Sequence, residues 1–277
     1  FVVWLPGGHC LPIAVMTFSF IRLLSLGIVA LGLFAGLAKP AAGDWTRWRG
    51  PDLNGISSET DWLAKWPDDG PKRLWKAKVG TGFSSLSVAN GKVYTLGNSG
   101  RGKGEEKDTV CCSDAATGKA IWSHAYEAKL DPKYYDGGPS GTPTVDGDRV
   151  FTLGKRGQLI CFGAADGHVV WQKNVATEIK GKRPTWGFAG SPLVIGGTVF
   201  VNVGGHGTAL DKKTGKILWS TGRDAASYSS IVPHIRDGRQ ELVMFAYKAV
   251  VAVDPKTGSK LWSYPWETKH NTSAADP

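Results

Sequence analysis

Residues 208–219 read Thr208-Ala-Leu-Asp-Lys-Lys-Thr-Gly-Lys-Ile-Leu-Trp219. A short apolar run is halted at Asp211, turned at Thr214-Gly215, and followed by a second run that ends on a tryptophan. Each run is too short for a helix and has the length and composition of a strand. Gly215 stands where a tight hairpin needs positive φ, a conformation glycine takes without Cβ strain. The stretch therefore predicts two antiparallel strands joined by a turn.

The same pattern returns on both sides. It is found in Thr109-Val-Cys-Cys-Ser-Asp-Ala-Ala-Thr-Gly-Lys-Ala-Ile-Trp122, in Leu159-Ile-Cys-Phe-Gly-Ala-Ala-Asp-Gly-His-Val-Val-Trp171, and in Val250-Val-Ala-Val-Asp-Pro-Lys-Thr-Gly-Ser-Lys-Leu-Trp262. Trp75 closes an earlier, partial unit, so the tryptophans at 75, 122, 171, 219 and 262 fall at intervals of 47, 49, 48 and 43 residues. A second turn pair precedes each pattern: Asn90-Gly91, Asp146-Gly147, Gly196-Gly197 and Asp237-Gly238, flanked by runs such as Val93-Tyr-Thr-Leu96 and Val150-Phe-Thr-Leu153. Each unit thus supplies four strands. A four-stranded sheet of this size cannot bury both faces alone, whereas sheets stacked radially bury each other's. The expected fold is all-β, a β-propeller of four-stranded antiparallel blades over 44–277, with about four complete blades. Trp75, Trp122, Trp171, Trp219 and Trp262 are expected to anchor neighbouring blades, and Gly118, Gly167, Gly215 and Gly258 to turn the outer hairpins. The chain stops at Asn271-Thr-Ser-Ala-Ala-Asp-Pro277, where a next blade would begin, so it is expected to be C-terminally truncated with an incomplete ring.

The 37 glycines and 12 tryptophans suit a turn-rich β protein with a recurrent aromatic anchor. The formal charge of +9 is spread over hairpin tips such as Lys212, Lys213, Lys216, Lys256 and Lys260, which argues against a nucleic-acid patch. From Met16 a short segment with Arg22 leads into an apolar run, Leu23 to Ala38, and then to Ala41, Ala42 and Gly43. This is the layout of a signal peptide over 16–43, with residues 1–15 a non-native leader. Export to the periplasm or beyond is expected, without a membrane span after cleavage. Cys111, Cys112 and Cys161 are an odd set, which argues against a disulfide framework, and no cysteine follows the apolar run to carry a lipid.

The signature Ala-Ala-Thr-Gly-Lys-x-x-Trp and its variants resemble the pyrroloquinoline-quinone-like propeller repeat, a resemblance that covers essentially all of 44–277. The entry segment Trp45-Thr-Arg-Trp-Arg-Gly-Pro-Asp-Leu-Asn-Gly-Ile-Ser57 looks like the leader of an exported, planctomycete-like bacterial subgroup. The resemblance implies seven or eight blades. For its dehydrogenase members it also implies a quinone with calcium on the axis, a catalytic aspartate, a stacking tryptophan and a disulfide between adjacent cysteines. Cys111-Cys112 is the adjacent pair, yet it falls inside a third strand, where units two to four carry Ile160-Cys161, Ala209-Leu210 and Ala252-Val253. Strand alternation sends one side chain to each face, so both are read as buried packing residues. No calcium-ligand constellation is visible and no metal site is assigned.

Loops entering the innermost strands face the central opening of a propeller. Here they are Tyr134-Tyr-Asp-Gly-Gly-Pro-Ser140, Arg183-Pro-Thr-Trp-Gly-Phe-Ala-Gly-Ser191 and Ala226-Ser-Tyr-Ser-Ser230. Trp186, Tyr135, Asp136, Arg183 and Tyr228 are therefore the candidate ligand-binding residues at the axial mouth, for a small molecule or peptide. Their glycines serve equally to let chains crowd near the axis. His206 and His234 stand alone and read as structural. No Ser-His-Asp order, phosphate loop or HExxH is present, so no catalytic residue is assigned. The expected role is an exported binding or scaffold module with a ligand or an envelope protein as partner. A quinone-dependent alcohol or sugar dehydrogenase and an outer-membrane-assembly propeller are the alternatives.

Overall fold

Asp211 shows how the repeat builds itself. Its carboxylate accepts from the backbone N–H (2.8 Å) and hydroxyl (2.7 Å) of Thr214, and Gly215 (φ +69°) closes the turn onto the Asp211 carbonyl. Asp114 with Thr117 and Asp254 with Thr257 repeat this lock, and in the second unit Gly163 replaces the aspartate while Asp166 caps His168 instead.

In the computed structural model, which describes residues 43–100 and 106–277, these turns organise four sheets of four antiparallel strands. The first sheet is β1 (Ser87–Ala89), β2 (Lys92–Asn98), β3 (Lys107–Asp114) and β4 (Ala120–Glu127). The second is β5 (Thr144–Asp146), β6 (Arg149–Leu153), β7 (Gln158–Gly163) and β8 (Val169–Asn174). The third is β9 (Leu193–Ile195), β10 (Thr198–Val201), β11 (Thr208–Asp211) and β12 (Ile217–Ser220). The fourth is β13 (Val232–Arg236), β14 (Arg239–Phe245), β15 (Ala249–Val253) and β16 (Lys260–Pro265). The strands of each sheet follow in chain order, and β5 lies beside both β1 and β9, which makes the first strands the inner ones. One four-residue helix, α1 (Val175–Glu178), capped by Asn174, is the only helix among the described residues. The all-β propeller expectation holds, and the four sheets do not form a closed ring. The expected leader over 1–15 and all but the last residue of the expected signal peptide over 16–43 lie outside the described residues. No described helix is long and apolar enough to cross a membrane.

The cores lie between sheets, as the repeat argument requires. Tyr94, Val110, Cys112 and Trp122 of the first sheet pack on Val150, Ile160 and Phe162 of the second. Phe151, Leu153, Leu159 and Trp171 pack on Val199, Val201 and Leu210 of the third. Phe200 and Ala209 pack on Leu242, Met244, Val251 and Val253 of the fourth. Each tryptophan reaches across its interface. The indole N–H groups of Trp75, Trp122, Trp171 and Trp219 donate to the carbonyls of Ala115, Ala164, Lys212 and Pro255, at 2.9, 3.2, 2.9 and 3.0 Å. These are the same position in four successive turns. The ring lies flat on the turn glycine: a Cβ on Gly167 would stand 2.5 Å from Cδ2 of Trp122, and Gly118, Gly215 and Gly258 are covered likewise by Trp75, Trp171 and Trp219. Trp75 docks this way although no described strand contains it. Trp262 donates to Glu241 of its own sheet (3.0 Å), beneath Arg236.

Register corrects two readings. The second hairpin turns at Gly147-Asp148, with Asp146 already paired to Arg149, one residue later than the expected Asp146-Gly147. Asn90-Gly91 and Asp237-Gly238 have positive φ at both residues, the type I′ pattern, whereas only the first residue does so in Gly147-Asp148 and Gly196-Gly197, the type II′ pattern. In the third strands Cys112, Cys161, Ala209 and Ala252 are the residues opposite the tryptophans. The counterparts of Cys111-Cys112 are therefore Thr208-Ala209 and Val251-Ala252, not Ala209-Leu210 and Ala252-Val253. A bulge follows this position in every sheet, and each of the four residues stands ten positions before its tryptophan. Cys111 is half-buried rather than buried, Cys112 is buried, and both are free thiols.

Three acidic or basic residues, Asp108, Lys155 and Glu241, are almost fully buried among the described residues. Asp108 is 2% exposed, and its carboxylate accepts from the Asn98 amide (2.8 Å) and more weakly from the Tyr126 hydroxyl (3.4 Å). Burial raises its pKa against those two hydrogen bonds. The native carboxyl thus keeps its proton to higher pH than the unfolded chain does, and stability falls as pH rises above the ordinary aspartate value of about 3.9. Asp108→Asn removes that slope. The variant is expected to gain on the order of 1 kcal/mol over the native protein at pH 7 and nothing at pH 3, since it no longer buries a charge. Urea titrations at the two pH values check this; a gain independent of pH refutes it.

Candidate functional site

The inner ends of the sheets are joined by a ladder of short polar contacts. Ser87 donates to the Pro143 carbonyl and Thr144 to that of Pro192, while the N–H groups of Thr142, Ser191 and Ser230 donate to Ser191 Oγ, Ser230 Oγ and Asp276 Oδ1. Glycine is needed here for close approach: a Cβ on Gly190 would collide with the Ser229 carbonyl, backbone against backbone. The entry segment follows the same edges. Trp45 bridges Val88, the Thr46 carbonyl accepts from Val145, Leu53 joins the core between third and fourth sheets, and the Trp48 indole reaches Asp276 (2.8 Å). With the inner edges covered by the chain itself, recesses form at the mouth, among the loops that enter β1, β5, β9 and β13.

The first recess, about 370 Å³, is walled by Phe83, Tyr134, Tyr135, Trp186 and Tyr228. Its rings pair in tilted fashion, Phe83 with Tyr135 at 5.5 Å and Trp186 with Tyr228 at 5.6 Å between centroids. The Tyr135 hydroxyl donates to the Trp186 carbonyl (3.4 Å), and Tyr134 stands 91% exposed at the rim. The second recess, about 480 Å³, shares Tyr228 and carries Lys182, Arg183, Lys248 and His270 against one acid, Asp224. One is aromatic and the other basic, and a single ring divides them.

Beneath both lies an ionic clamp. Asp131 accepts two hydrogen bonds from Arg156 (3.1 and 2.8 Å) and one from Arg183 (2.9 Å). Burial alone would raise its pKa, but the two guanidinium groups outweigh burial and hold the carboxyl below its usual value. Lys155 is 4% exposed and its ammonium donates to the carbonyls of Leu130 (3.2 Å) and Asp131 (3.0 Å), 4.9 Å from the centre of the Tyr135 ring. Burial lowers its pKa. The clamp ties the loop before β5 to the β6–β7 turn and to the loop before β9, and so joins the two loops that carry Tyr134, Tyr135 and Trp186.

Of the five mouth residues expected from sequence, Trp186, Tyr135 and Tyr228 line the aromatic recess. Arg183 lines the basic one while bound to Asp131. Asp136 is exposed and borders neither. Phe83, Asp131 and Lys155 were not anticipated. Phe83 sits in Gly80-Thr-Gly-Phe-Ser-Ser85, the first-unit counterpart of the three loops, and extending the repeat by one unit finds it. His206 is half-buried, with a pKa lowered by burial and by Lys260, and no group of three metal-ligating side chains occurs among the described residues.

The family described as outer membrane protein assembly factor BamB matches residues 106–276. No curated protein matches the chain. Among solved structures, BamB from Moraxella catarrhalis is 20% identical, with TM-score 0.47, over 71% of this chain and 54% of that one. The quinohemoprotein alcohol dehydrogenase ADHIIG from Pseudomonas putida HK5 is 19% identical, with TM-score 0.50, over 72% and 36%. That from Comamonas testosteroni is 19% identical, with TM-score 0.49, over 68% and 35%. At these identities the likeness is one of fold, and the chain spans about half or less of each structure.

Proposed function

Because the chain belongs to the family of PQQ-like propeller repeat proteins described as outer membrane protein assembly factor BamB, we propose that it is a binding module of the bacterial envelope that holds its partner at the loop face. The observation that carries this reading is the aromatic recess: five rings from three loops and the segment before β1, open to solvent and braced from below by the Asp131 clamp. Exposed aromatic groups on a rigid support are what a binding face needs. Residues 44–277 are taken as the propeller domain and 16–43 as the export signal. An envelope protein is the partner class that family membership favours.

A quinone with calcium, implied by the repeat, would ask for carboxylates and amides around an axial ring. The described residues do not fit it. No acid lines the aromatic recess, Asp131 in the loop that carries Tyr135 is taken by two arginines, and Cys111 and Cys112 lie on opposite faces of β3 in an outer part of the sheet. No step through that group is derived.

A photo-crosslinking residue at Tyr134, on the rim, tests the binding reading in cells. A discrete crosslinked envelope protein is expected, reduced at least tenfold by Trp186→Ala and absent when the residue is placed instead at Ile235, exposed on β13. Identical patterns from both positions would remove the reading. Dye reduction by purified protein given the quinone and calcium would replace it with an enzyme.

A further inference from the structure

Two recesses of opposite chemistry sharing one wall constrain what fits them. The aromatic recess offers ring faces and no ionised group among its walls except Lys133. Across Tyr228, the basic recess offers Lys182, Arg183 and Lys248 against Asp224 alone. The cations are available in different degrees. Arg183 gives Nη1 to Asp131, and Lys248 makes a 3.3 Å contact with Glu267 in which both side chains are more than half exposed, an ion pair that solvent screens heavily. An anion entering the recess therefore meets an excess of positive charge at little cost in broken contacts.

The two recesses, about 480 and 370 Å³ with Tyr228 as their shared wall, can each take one side chain of an extended segment. In a strand, side chains two residues apart point the same way at a spacing of roughly 7 Å, enough to straddle a single tyrosine ring. Resting on the binding reading above, we propose that the loop face binds an extended peptide segment of the form aromatic-x-acidic. Its aromatic side chain enters between Trp186 and Tyr135, and its carboxylate, two residues away, enters the basic recess. The aromatic group provides buried area and ring contacts, while the carboxylate sets register and direction.

The test uses fluorescently labelled heptapeptides with the purified chain at low salt: Gly-Gly-Phe-Gly-Asp-Gly-Gly, its reverse order, and versions with alanine for phenylalanine or lysine for aspartate. One order of the Phe/Asp peptide is expected to bind at least tenfold more tightly than the alanine and lysine versions, and to weaken as salt is raised. Trp186→Ala should lower that affinity about tenfold. Lys248→Glu should lower it while raising affinity for the lysine peptide, an exchange that misfolding does not produce, and circular dichroism melts should match the parent. Equal binding of the aspartate and lysine peptides, or no binding by any of them, overturns the proposal. If the crosslink from position 134 persists in that case, the ligand class is wrong and the binding role stands; if it is also absent, both fall.

Discussion

Trp122→Ala is expected to destabilise the protein by about 3–5 kcal/mol, the range for removing a buried large aromatic side chain. Trp262→Ala is expected to cost only about 1 kcal/mol. The residues hold the same repeat position. What differs is the neighbour. Trp122 is 9% exposed, stacks between Tyr94 (6.0 Å) and Phe162 (5.7 Å), covers Gly167 and satisfies the Ala164 carbonyl on the next sheet. Truncating it opens a cavity bounded by two sheets that are fixed by their own hydrogen bonds and cannot collapse into it. Trp262 is half-buried and bonds to Glu241 within its own sheet. In a repeat protein, stability is roughly the sum of unit and interface terms, and only Trp122 belongs to an interface within this chain. Urea unfolding followed by circular dichroism measures both, and equal losses would refute the account.

Lys155→Met is expected to cost about 2–3 kcal/mol, well above the near-zero effect of Lys133→Met at the exposed rim. Methionine matches the stem that packs beside Gly187 but has no donors, so the Leu130 and Asp131 carbonyls lose charged hydrogen bonds. The loss also reaches the site. Tyr135 loses the cation that stands 4.9 Å from its ring centre, and the loop carrying Asp131, in a left-handed conformation (φ +48°), loses a tie. The crosslink from position 134 should fall along with stability. Thermal melts of the two variants, read beside that crosslink, check the prediction; a Lys155→Met protein as stable as Lys133→Met would show that the clamp is dispensable.

Much of the architecture was legible because the repeat states the same requirement four times. A tryptophan and the turn glycine 39 to 45 residues after it imply each other, since the ring of one sheet must lie on the bare backbone of the next. The one-residue offset in the inner hairpin of the second sheet was not legible, whereas the third-strand alignment follows from the constant ten-residue spacing to each tryptophan. Asp146-Gly147 and Gly147-Asp148 are both acceptable turn pairs, and type I′ and II′ turns accept nearly the same residues. At the mouth, aromatic and glycine content pointed to loops from which Trp186, Tyr135 and Tyr228 come together along one recess. It did not reveal Lys155, which lies in the β6–β7 turn and reaches the site only when the second sheet stands beside the loop before β5.

By itself, then, the sequence dictated sheet number, strand order and the anchoring role of the indoles, because those depend on local turn chemistry and on burying faces that recur with the repeat. Tertiary structure alone decided which loop residues meet: that Asp131 would gather two arginines, that Asp136 would face solvent, and that an aromatic recess would adjoin a basic one. Such meetings join loops of neighbouring repeats, where geometry is set by the docking of whole sheets and no local periodicity records it.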